Sequence, residues 1–202
     1  MANMGGMMNE TMSRRQQEIV QAALAVIGEQ GMGKLTVRNV AKRVGFSEPA
    51  VYRHFPDKTS LLEAMLEYVS GTMAQHFSDA RRHEESGYNL LERFLGRMFE
   101  EFVEMPALVP LLFTDELLNQ DPKLAARVHS TVEVQLSRMT DLVGTLQQQG
   151  QWRSDVDADD AAMMILGTVR LSVVRLAHKG TPKENAARVA RLLHALMGGD
   201  GV

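Results

Sequence analysis

The stretch that decides the fold is LTVRNVAKRVGFSEPAVYRHFPDK, residues 35–58. Thr36 is a good N-cap for a short helix that ends at Gly45, and Ser47 can cap the next helix. Pro49 is tolerated in that helix's first turn, because the amide there has no intrahelical partner. Two short helices joined by a glycine turn, among basic residues, are typical of a helix-turn-helix, whose second helix enters the major groove of DNA.

Apolar side chains are expected to hold the two short helices together, the second of which should end near Phe55. These inward positions are Val40, Ala41, Val44, Val51 and Phe55. The positions left near the groove are Ser47, Glu48, Pro49, Ala50, Tyr52 and Arg53. Ala50 is small enough to contact a thymine methyl, Glu48 could accept a hydrogen bond from cytosine, and Arg53 could serve guanine or phosphate. Helix ends and edges are where phosphates are commonly bound, which adds Thr36, His54 and Lys58.

The charge of the chain is unevenly distributed. The net charge is -3, yet residues 13–58 contain eight basic and four acidic side chains, a local net charge of +4. The other residues therefore carry -7. This asymmetry indicates a small cationic module on a larger acidic body, although charge alone would equally suit a solvated face.

The remaining sequence has helical periodicity throughout, which predicts an all-α fold. Nine helices are expected, at about 14–30, 36–44, 47–55, 57–82, 91–105, from Pro106 onward, and at 121–150, 157–178 and 181–198. The Met-, Gly- and Asn-rich residues 1–12 are interpreted as a disordered tail, and residues 81–87 as a loop. The predicted domains are a DNA-binding domain at 13–58 and a ligand-binding and dimerisation domain at 59–202, joined by the long helix at 57–82.

Several classes of function are disfavoured. The chain has no cysteine, which excludes disulfides and thiolate sites and suits a reducing cytoplasm. No apolar stretch is long enough to span a bilayer. His76 and His83 lack a third ligand in register for a metal, and no nucleophile elbow or phosphate loop is present. We therefore expect a cytoplasmic protein without a metal, a cofactor or catalytic activity.

The segment from Ile19 to Leu66 resembles the N-terminal domain of TetR-family repressors. The most specific matches are Thr36-Val37-Arg38, Ala41, Val44-Gly45-Phe46-Ser47, Val51-Tyr52, His54-Phe55 and Lys58 with Leu61-Leu62. The resemblance implies phosphate contacts from Thr36, Tyr52, His54 and Lys58. It implies base contacts from Arg38, Glu48, Pro49 and Ala50. It also implies a double-stranded DNA operator, a homodimer built by the last two helices, and a small-molecule effector.

The effector site is predicted only as a set of apolar positions, since adaptable thioethers and aromatic rings suit variable apolar ligands. The candidates are Phe94, Met98, Phe102, Phe113, Leu117, Met139 and Met164. For each one taken singly, ordinary core packing is the simpler interpretation. His129 is interpreted as a core histidine, and the acidic residues Glu100, Glu101 and Glu104 as a solvated face.

The helices at about 158–178 and 182–198 carry more apolar surface than one chain can cover, which predicts a two-fold interface between copies. A buried central helix in a monomer is the alternative.

A ligand would splay the paired recognition helices and lower operator affinity. Two rival functions stay open: a ligand-free DNA-binding protein of chromosome organisation or division, with a filled C-terminal core, and an enzyme.

Overall fold

The computed structural model describes residues 12–81, 88–113, 121–176 and 181–197. All of the elements assigned in these ranges are helices. The α-helices of the described residues are α1 (Arg14–Gln30), α2 (Val37–Val44), α3 (Glu48–Tyr52), α4 (Lys58–Arg81), α5 (Tyr88–Glu104), α6 (Leu108–Phe113), α7 (Pro122–Gln148), α8 (Ala158–Leu176) and α9 (Pro182–Met197). A single 3₁₀ turn, Met32–Lys34, joins α1 to α2. The prediction of an all-α fold is confirmed.

Side-chain caps explain where the helices begin. Asp121 Oδ1 accepts from the Lys123 amide at 2.8 Å, and Thr181 shares a reciprocal capping arrangement with Glu184. Sequence reasoning missed the capping box of α1, in which Ser13 and Gln16 satisfy each other's amides. Such caps supply partners for helical amides that have none within the helix, so short polar motifs fix the helix starts.

Two predicted boundaries are wrong by two or three residues. α3 ends at Tyr52 rather than near Phe55, because the chain turns at 53–54. α6 begins at Leu108 rather than at Pro106, since the Leu108 amide donates to the Met105 carbonyl at 3.0 Å and closes a turn first. Helix ends are the positions where local patterns are least decisive.

The first compact unit comprises the described residues up to 74 together with those of 105–128. Its core is formed by buried side chains of α1, α4, α6 and the start of α7, including Ile27, Met65, Leu66, Leu108 and Leu124. A Cβ on Gly28 of α1 would lie 3.4 Å from the Ala107 amide and 3.5 Å from Pro106 Cβ. The unit that contains the helix-turn-helix therefore includes a segment from the middle of the chain.

The second compact unit comprises the described residues of 75–104 and from 129 onward. α5 and α9 approach closely here, because a Cβ on Gly96 would lie 4.0 Å from Ala186 Cβ. Trp152, in the turn after α7, is buried. The first unit extends beyond the predicted boundary at residue 58, and the domain limits of 13–58 and 59–202 stay a prediction. Of the predicted tail, residues 1–11 lie outside the described residues, and Met12 is buried.

The buried face of α7 differs from the predicted stripe. Val132 is 40% exposed and His129 is exposed, while Thr131 is buried. The prediction advanced in steps of four residues from Val128, and each such step drifts about 40° around a helix of 3.6 residues per turn. A step of three residues returns to the core side, which places Thr131 there. The interpretation of His129 as a core histidine is therefore wrong.

Candidate DNA-binding surface

The helix-turn-helix is built by hydrogen bonds within residues 36–52. Thr36 Oγ1 accepts from the Asn39 amide at 3.1 Å and starts α2, while Ser47 Oγ accepts from the Ala50 amide at 3.3 Å and starts α3. Between them Gly45 has φ +78°, a left-handed conformation that glycine adopts without steric cost. Each of the two helices thus begins at a side-chain cap, and the turn between them favours glycine.

Apolar packing beneath these helices agrees with the predicted inward set. Val40, Ala41, Val51 and Phe55 are buried, and Val44 is half-buried. The core side of α2 and α3 is therefore occupied, and the rest of their surface is left for contacts outside the chain.

None of the ten predicted DNA-contacting residues is buried. Thr36, Arg38, Ser47, Glu48, Pro49, Tyr52, Arg53 and Lys58 are exposed, and Ala50 and His54 are half-buried. Tyr52 is 47% exposed, so its ring is not simply a packing element. The structure brings these side chains together within the two helices, the turn after α3 and the first residue of α4, a set called here the reading surface.

Three arginines of the same unit are held by carboxylates. Arg43 makes a two-pronged ion pair with Glu29, with Nη2 donating to Oε1 at 2.6 Å. Glu18 accepts from Arg15 at 2.7 Å and lies 3.3 Å from Arg14 Nε. The hydrogen bond from Arg43 lowers the pKa of Glu29, and the same contact raises the pKa of Arg43. These three cations are exposed, but each has a carboxylate partner within the chain.

The cations of the reading surface differ from these three arginines in having no carboxylate partner among the described residues. Within the described residues, Arg38, Arg53 and Lys58 form no ion pair, and neither does the neighbouring Lys42. All four are exposed. Exposed cations without an internal counterion can replace the counterions condensed on duplex DNA, which is the main source of affinity in such complexes.

Sequence reasoning missed the contacts that fasten this module. The Arg15 guanidinium lies 5.2 Å from the centre of the Phe46 ring, and Gln21 of α1 donates to the Tyr68 hydroxyl of α4 at 3.2 Å. The partners of the Arg43–Glu29 pair are separated by 14 residues and lie on different helices. No local pattern signals pairs of this kind, since their meeting depends on how helices pack.

The predicted effector-site residues are distributed unevenly. Phe94, Phe102 and Met139 are buried and Met98 is half-buried. Met164 is 48% exposed, so in this chain it is not enclosed. Leu117 and the side chain of Phe113 lie outside the described residues. The predicted site as a whole stays a prediction.

A groove of about 550 Å³ lies within the second unit. It is open and lined by α5 and the start of α9, through Asn89, Glu92, Arg93, Gly96, Arg97, Glu100, Lys183 and Ala186. None of the predicted effector-site residues lines it. Arg97 and Glu100 pair with each other along α5 at 3.1 Å, and most of the lining residues are charged.

The acidic residues of α5 do not form one solvated face. Glu104 is exposed and Glu100 is half-buried, but Glu101 is only 5% exposed. Glu101 follows Phe94 by seven residues, two helical turns, and so shares the side of α5 that turns toward the core. The interpretation of a solvated acidic face is wrong for Glu101.

A stripe of exposed apolar side chains runs along α8. Met164, Leu171 and Val174 are each about half exposed, and Gly167 between them is exposed. The spacing of three and four residues places all four on one helix face, called here the α8 stripe. The opposite face of α8, with Ala161, Ile165, Val169 and Val173, is buried.

Metal ligation and membrane insertion find no structural basis in the described ranges. There, no group of three or more histidine, aspartate or glutamate side chains has the geometry to hold a metal ion. In the same ranges, no helix combines the length and apolar character that crossing a bilayer requires.

Residues 19–65 match the family of bacterial regulatory proteins known as the tetR family. The chain is also similar to the nucleoid occlusion factor SlmA of Actinobacillus pleuropneumoniae serotype 5b (strain L20), with 30% identity over 123 residues. The match covers 60% of this chain and 61% of that protein. The similarity to this relative therefore spans about three fifths of its length.

Solved structures share the fold over most of both chains. The fatty acid degradation regulator FadR from Bacillus halodurans has a TM-score of 0.78 at 20% identity, covering 90% of this chain and 95% of that one. The FadR of Bacillus subtilis, solved in complex with stearoyl-CoA, has a TM-score of 0.74 at 21% identity, covering 88% and 96%. Likeness at this level of identity shows the fold.

Proposed function

Since this chain belongs to the TetR family of bacterial regulatory proteins, we propose that it is a transcriptional repressor that binds a palindromic DNA operator as a homodimer. A small apolar ligand bound by the C-terminal domain releases the repressor from the operator. The proposal includes no catalytic step.

One observation carries the DNA-binding part of the proposal. The cations of the reading surface are exposed and have no ion pair among the described residues, whereas Arg14, Arg15 and Arg43 of the same unit are paired with glutamates. Ser47, Glu48 and Pro49 begin the short α3 and are exposed. In a helix-turn-helix the start of the recognition helix contacts base edges. We assign phosphate contacts to Thr36, Tyr52, His54 and Lys58, and base contacts to Arg38, Glu48, Pro49 and Ala50.

The α8 stripe supports a homodimer through residues 158–178 and 182–198. Half-exposed Met164, Leu171 and Val174, with Leu192 of α9, form apolar surface that a second copy would cover. Gly167 leaves room for the close approach of a partner helix. A two-fold interface places the same face of both copies together. It also sets two recognition helices about 34 Å apart, one turn of DNA.

The proposal of an effector is supported by two observations, neither of which defines a binding site. The buried Phe94, Phe102 and Met139 supply apolar surface in the second unit. A solved relative in fold, the FadR of Bacillus subtilis, holds stearoyl-CoA. We propose an effector with a substantial apolar part, acting through the long α4, which leads from the helix-turn-helix toward the second domain.

Retention on duplex DNA tests the reading surface. The variant Tyr52→Ala/Lys58→Ala should lose binding to operator fragments while its circular dichroism and dimer mass stay those of the unmodified protein. The matched control, Arg14→Ala, also removes a cation from the unit, but one that is paired with Glu18, and it should keep most of its affinity. Unchanged retention of the double variant would overturn the DNA-binding proposal.

Sedimentation tests the dimer. Leu171→Glu places a charge in the α8 stripe and should yield monomers that bind a half-site weakly. Ser154→Glu adds the same charge at an exposed position outside α8 and should stay dimeric. A dimeric Leu171→Glu protein would move the interface elsewhere.

A second candidate function is favoured by the SlmA similarity. SlmA is a nucleoid occlusion factor, and a role in chromosome organisation or division would need no effector. Mapping the sites this protein occupies on the chromosome separates the two candidates. A few sites at promoters, with occupancy lowered by an apolar ligand, support the repressor. Many dispersed sites outside promoters, unaffected by ligands, support the second function.

A further inference from the structure

Two helix starts, distant in sequence, meet in the first unit. Asp57 precedes α4 and its Oδ1 accepts from the Ser60 amide at 2.7 Å, while Asp121 precedes α7 and its Oδ1 accepts from the Lys123 amide at 2.8 Å. The Thr59 hydroxyl of α4 donates to Asp121 Oδ2 at 3.3 Å. One carboxylate thus starts its own helix and holds the start of another, 62 residues away in sequence.

The two helix starts also interact in the other direction, because a residue of α7 affects the carboxylate that caps α4. Hydrogen bonds from Ser60 lower the pKa of Asp57 most, and the positive charge of Lys123 lowers it further. The second residue of each helix therefore interacts with the capping carboxylate of the other: Thr59 donates a hydrogen bond to Asp121, and the charge of Lys123 favours the ionised form of Asp57. These four residues are called here the N-cap clasp.

Two residues of the clasp flank a residue of the reading surface in sequence. Lys58 is the first residue of α4 and lies between Asp57 and Thr59 in sequence, and it is exposed. Asp57 and Thr59 are thus adjacent to Lys58 along the chain. A lysine side chain has four rotatable bonds and meets phosphate as a point charge. The backbone of the first turn of α4 sets the point from which this flexible side chain extends, and thereby which phosphates it can reach.

We propose that Asp121 is a positioning residue for DNA binding, which holds the first turn of α4 through Thr59 so that Lys58 meets the phosphate backbone. This inference rests on the proposed DNA-binding function. It assigns a role in DNA binding to a residue far outside the helix-turn-helix, although Asp121 does not itself touch DNA.

Thr59→Val is the sharpest test, because valine keeps the shape of threonine, lacks the hydroxyl and leaves the Asp121 cap of α7 intact. We expect affinity for operator DNA to fall about threefold to tenfold, because part or all of one phosphate contact, up to about 1.4 kcal/mol, is lost. Thr59→Ser keeps the hydroxyl and should bind like the unmodified protein. Asp121→Ala removes the contact with Thr59 together with the cap of α7, and it should lower affinity at least as much as Thr59→Val.

The salt dependence of binding identifies the route of the effect. Removing a single phosphate interaction lowers the slope of log affinity against log salt by about 0.9. Thr59→Val should lower that slope as Lys58→Ala does, and it should have no further effect in a Lys58→Ala background. A merely structural role would lower thermal stability without changing the slope.

The outcomes are distinguishable. Weaker binding with an unchanged slope, or equal losses with and without Lys58, would overturn the positioning role while leaving DNA binding intact. Unchanged affinity of Thr59→Val would do the same. If Lys58→Ala itself binds DNA normally, both the positioning role and the phosphate contact assigned to Lys58 are wrong.

Discussion

Two groups of basic side chains occupy the first unit, and they are arranged in opposite ways. Arg14, Arg15 and Arg43 are paired with Glu18 or Glu29, while Arg38, Arg53 and Lys58 have no ion pair among the described residues. Counting charges along the sequence gives both groups equal weight. We therefore expect the cations without a carboxylate partner to contribute more to the proposed DNA binding than the paired ones. The predictions below test this contrast.

The largest effect is expected for Arg38→Ala. Arg38 is exposed on α2 without an ion pair, and losing a base or phosphate interaction costs about 1–3 kcal/mol. Affinity for the operator should therefore fall about tenfold or more, measured by fluorescence anisotropy. Arg14→Ala, which removes a paired cation, should change affinity by less than about twofold. Equal losses in the two variants would remove the distinction.

Ser47→Ala should lower stability by about 1 kcal/mol, because α3 loses the side chain that caps it. For a chain of this length that shift corresponds to roughly 2–4 °C in Tm. Scanning calorimetry gives the value. Ser154→Ala, an exposed serine in the turn after α7, is the control and should leave Tm unchanged. An unchanged Tm for Ser47→Ala would mean that the cap adds nothing to α3.

Glu29→Gln converts a paired cation into an unpaired one. The guanidinium of Arg43 loses its counterion, so operator affinity should rise roughly twofold at low salt, and the gain should vanish at high salt because exposed charges are screened. Titrations at two salt concentrations measure it. Glu133→Gln, on an exposed position of α7, removes the same charge elsewhere and serves as control. A loss of affinity on Glu29→Gln would show that the pair is needed to hold α2.

The smallest effect is a pH dependence of stability. The hydrogen bond from Arg43 lowers the pKa of Glu29 below 4.5. A carboxylate with a lowered pKa contributes stability that is fully present above about pH 4.5 and is lost as pH falls through its folded value. The difference in unfolding free energy between the unmodified protein and Glu29→Gln should therefore shrink on acidification below that point. Urea titrations between pH 7 and 3 measure it, and a constant difference would contradict the pairing.

Local patterns predicted most of the first unit correctly. Thr36, Ser47 and Gly45 act through neighbours within four residues, so their roles follow from sequence alone. The same holds for the buried sides of α2 and α3. The resemblance then supplied the roles of individual residues of the reading surface, which periodicity could not assign.

The contacts that the sequence did not predict depend on packing between helices. The Thr59–Asp121 and Arg43–Glu29 contacts join residues 62 and 14 positions apart. The burial of Thr131 rather than Val132 shows how one step of three instead of four residues changes a whole helix face. Glu101 is buried against the rule for acidic side chains. The two contacts follow from no local pattern, because each depends on a partner that the sequence does not identify, while the burial of Thr131 and Glu101 follows helical periodicity once the core side of each helix is known.

The close approach of Gly28 to Ala107 has a consequence for biosynthesis. The unit that contains the helix-turn-helix draws its residues from both sides of a gap, up to 74 and again from 105 to 128. A ribosome adding about 5–20 residues per second needs roughly 2–7 s to pass from residue 74 to residue 107. During that interval the nascent chain lacks the surface against which Gly28 packs. Completion of the N-terminal unit therefore waits for translation of the middle of the message.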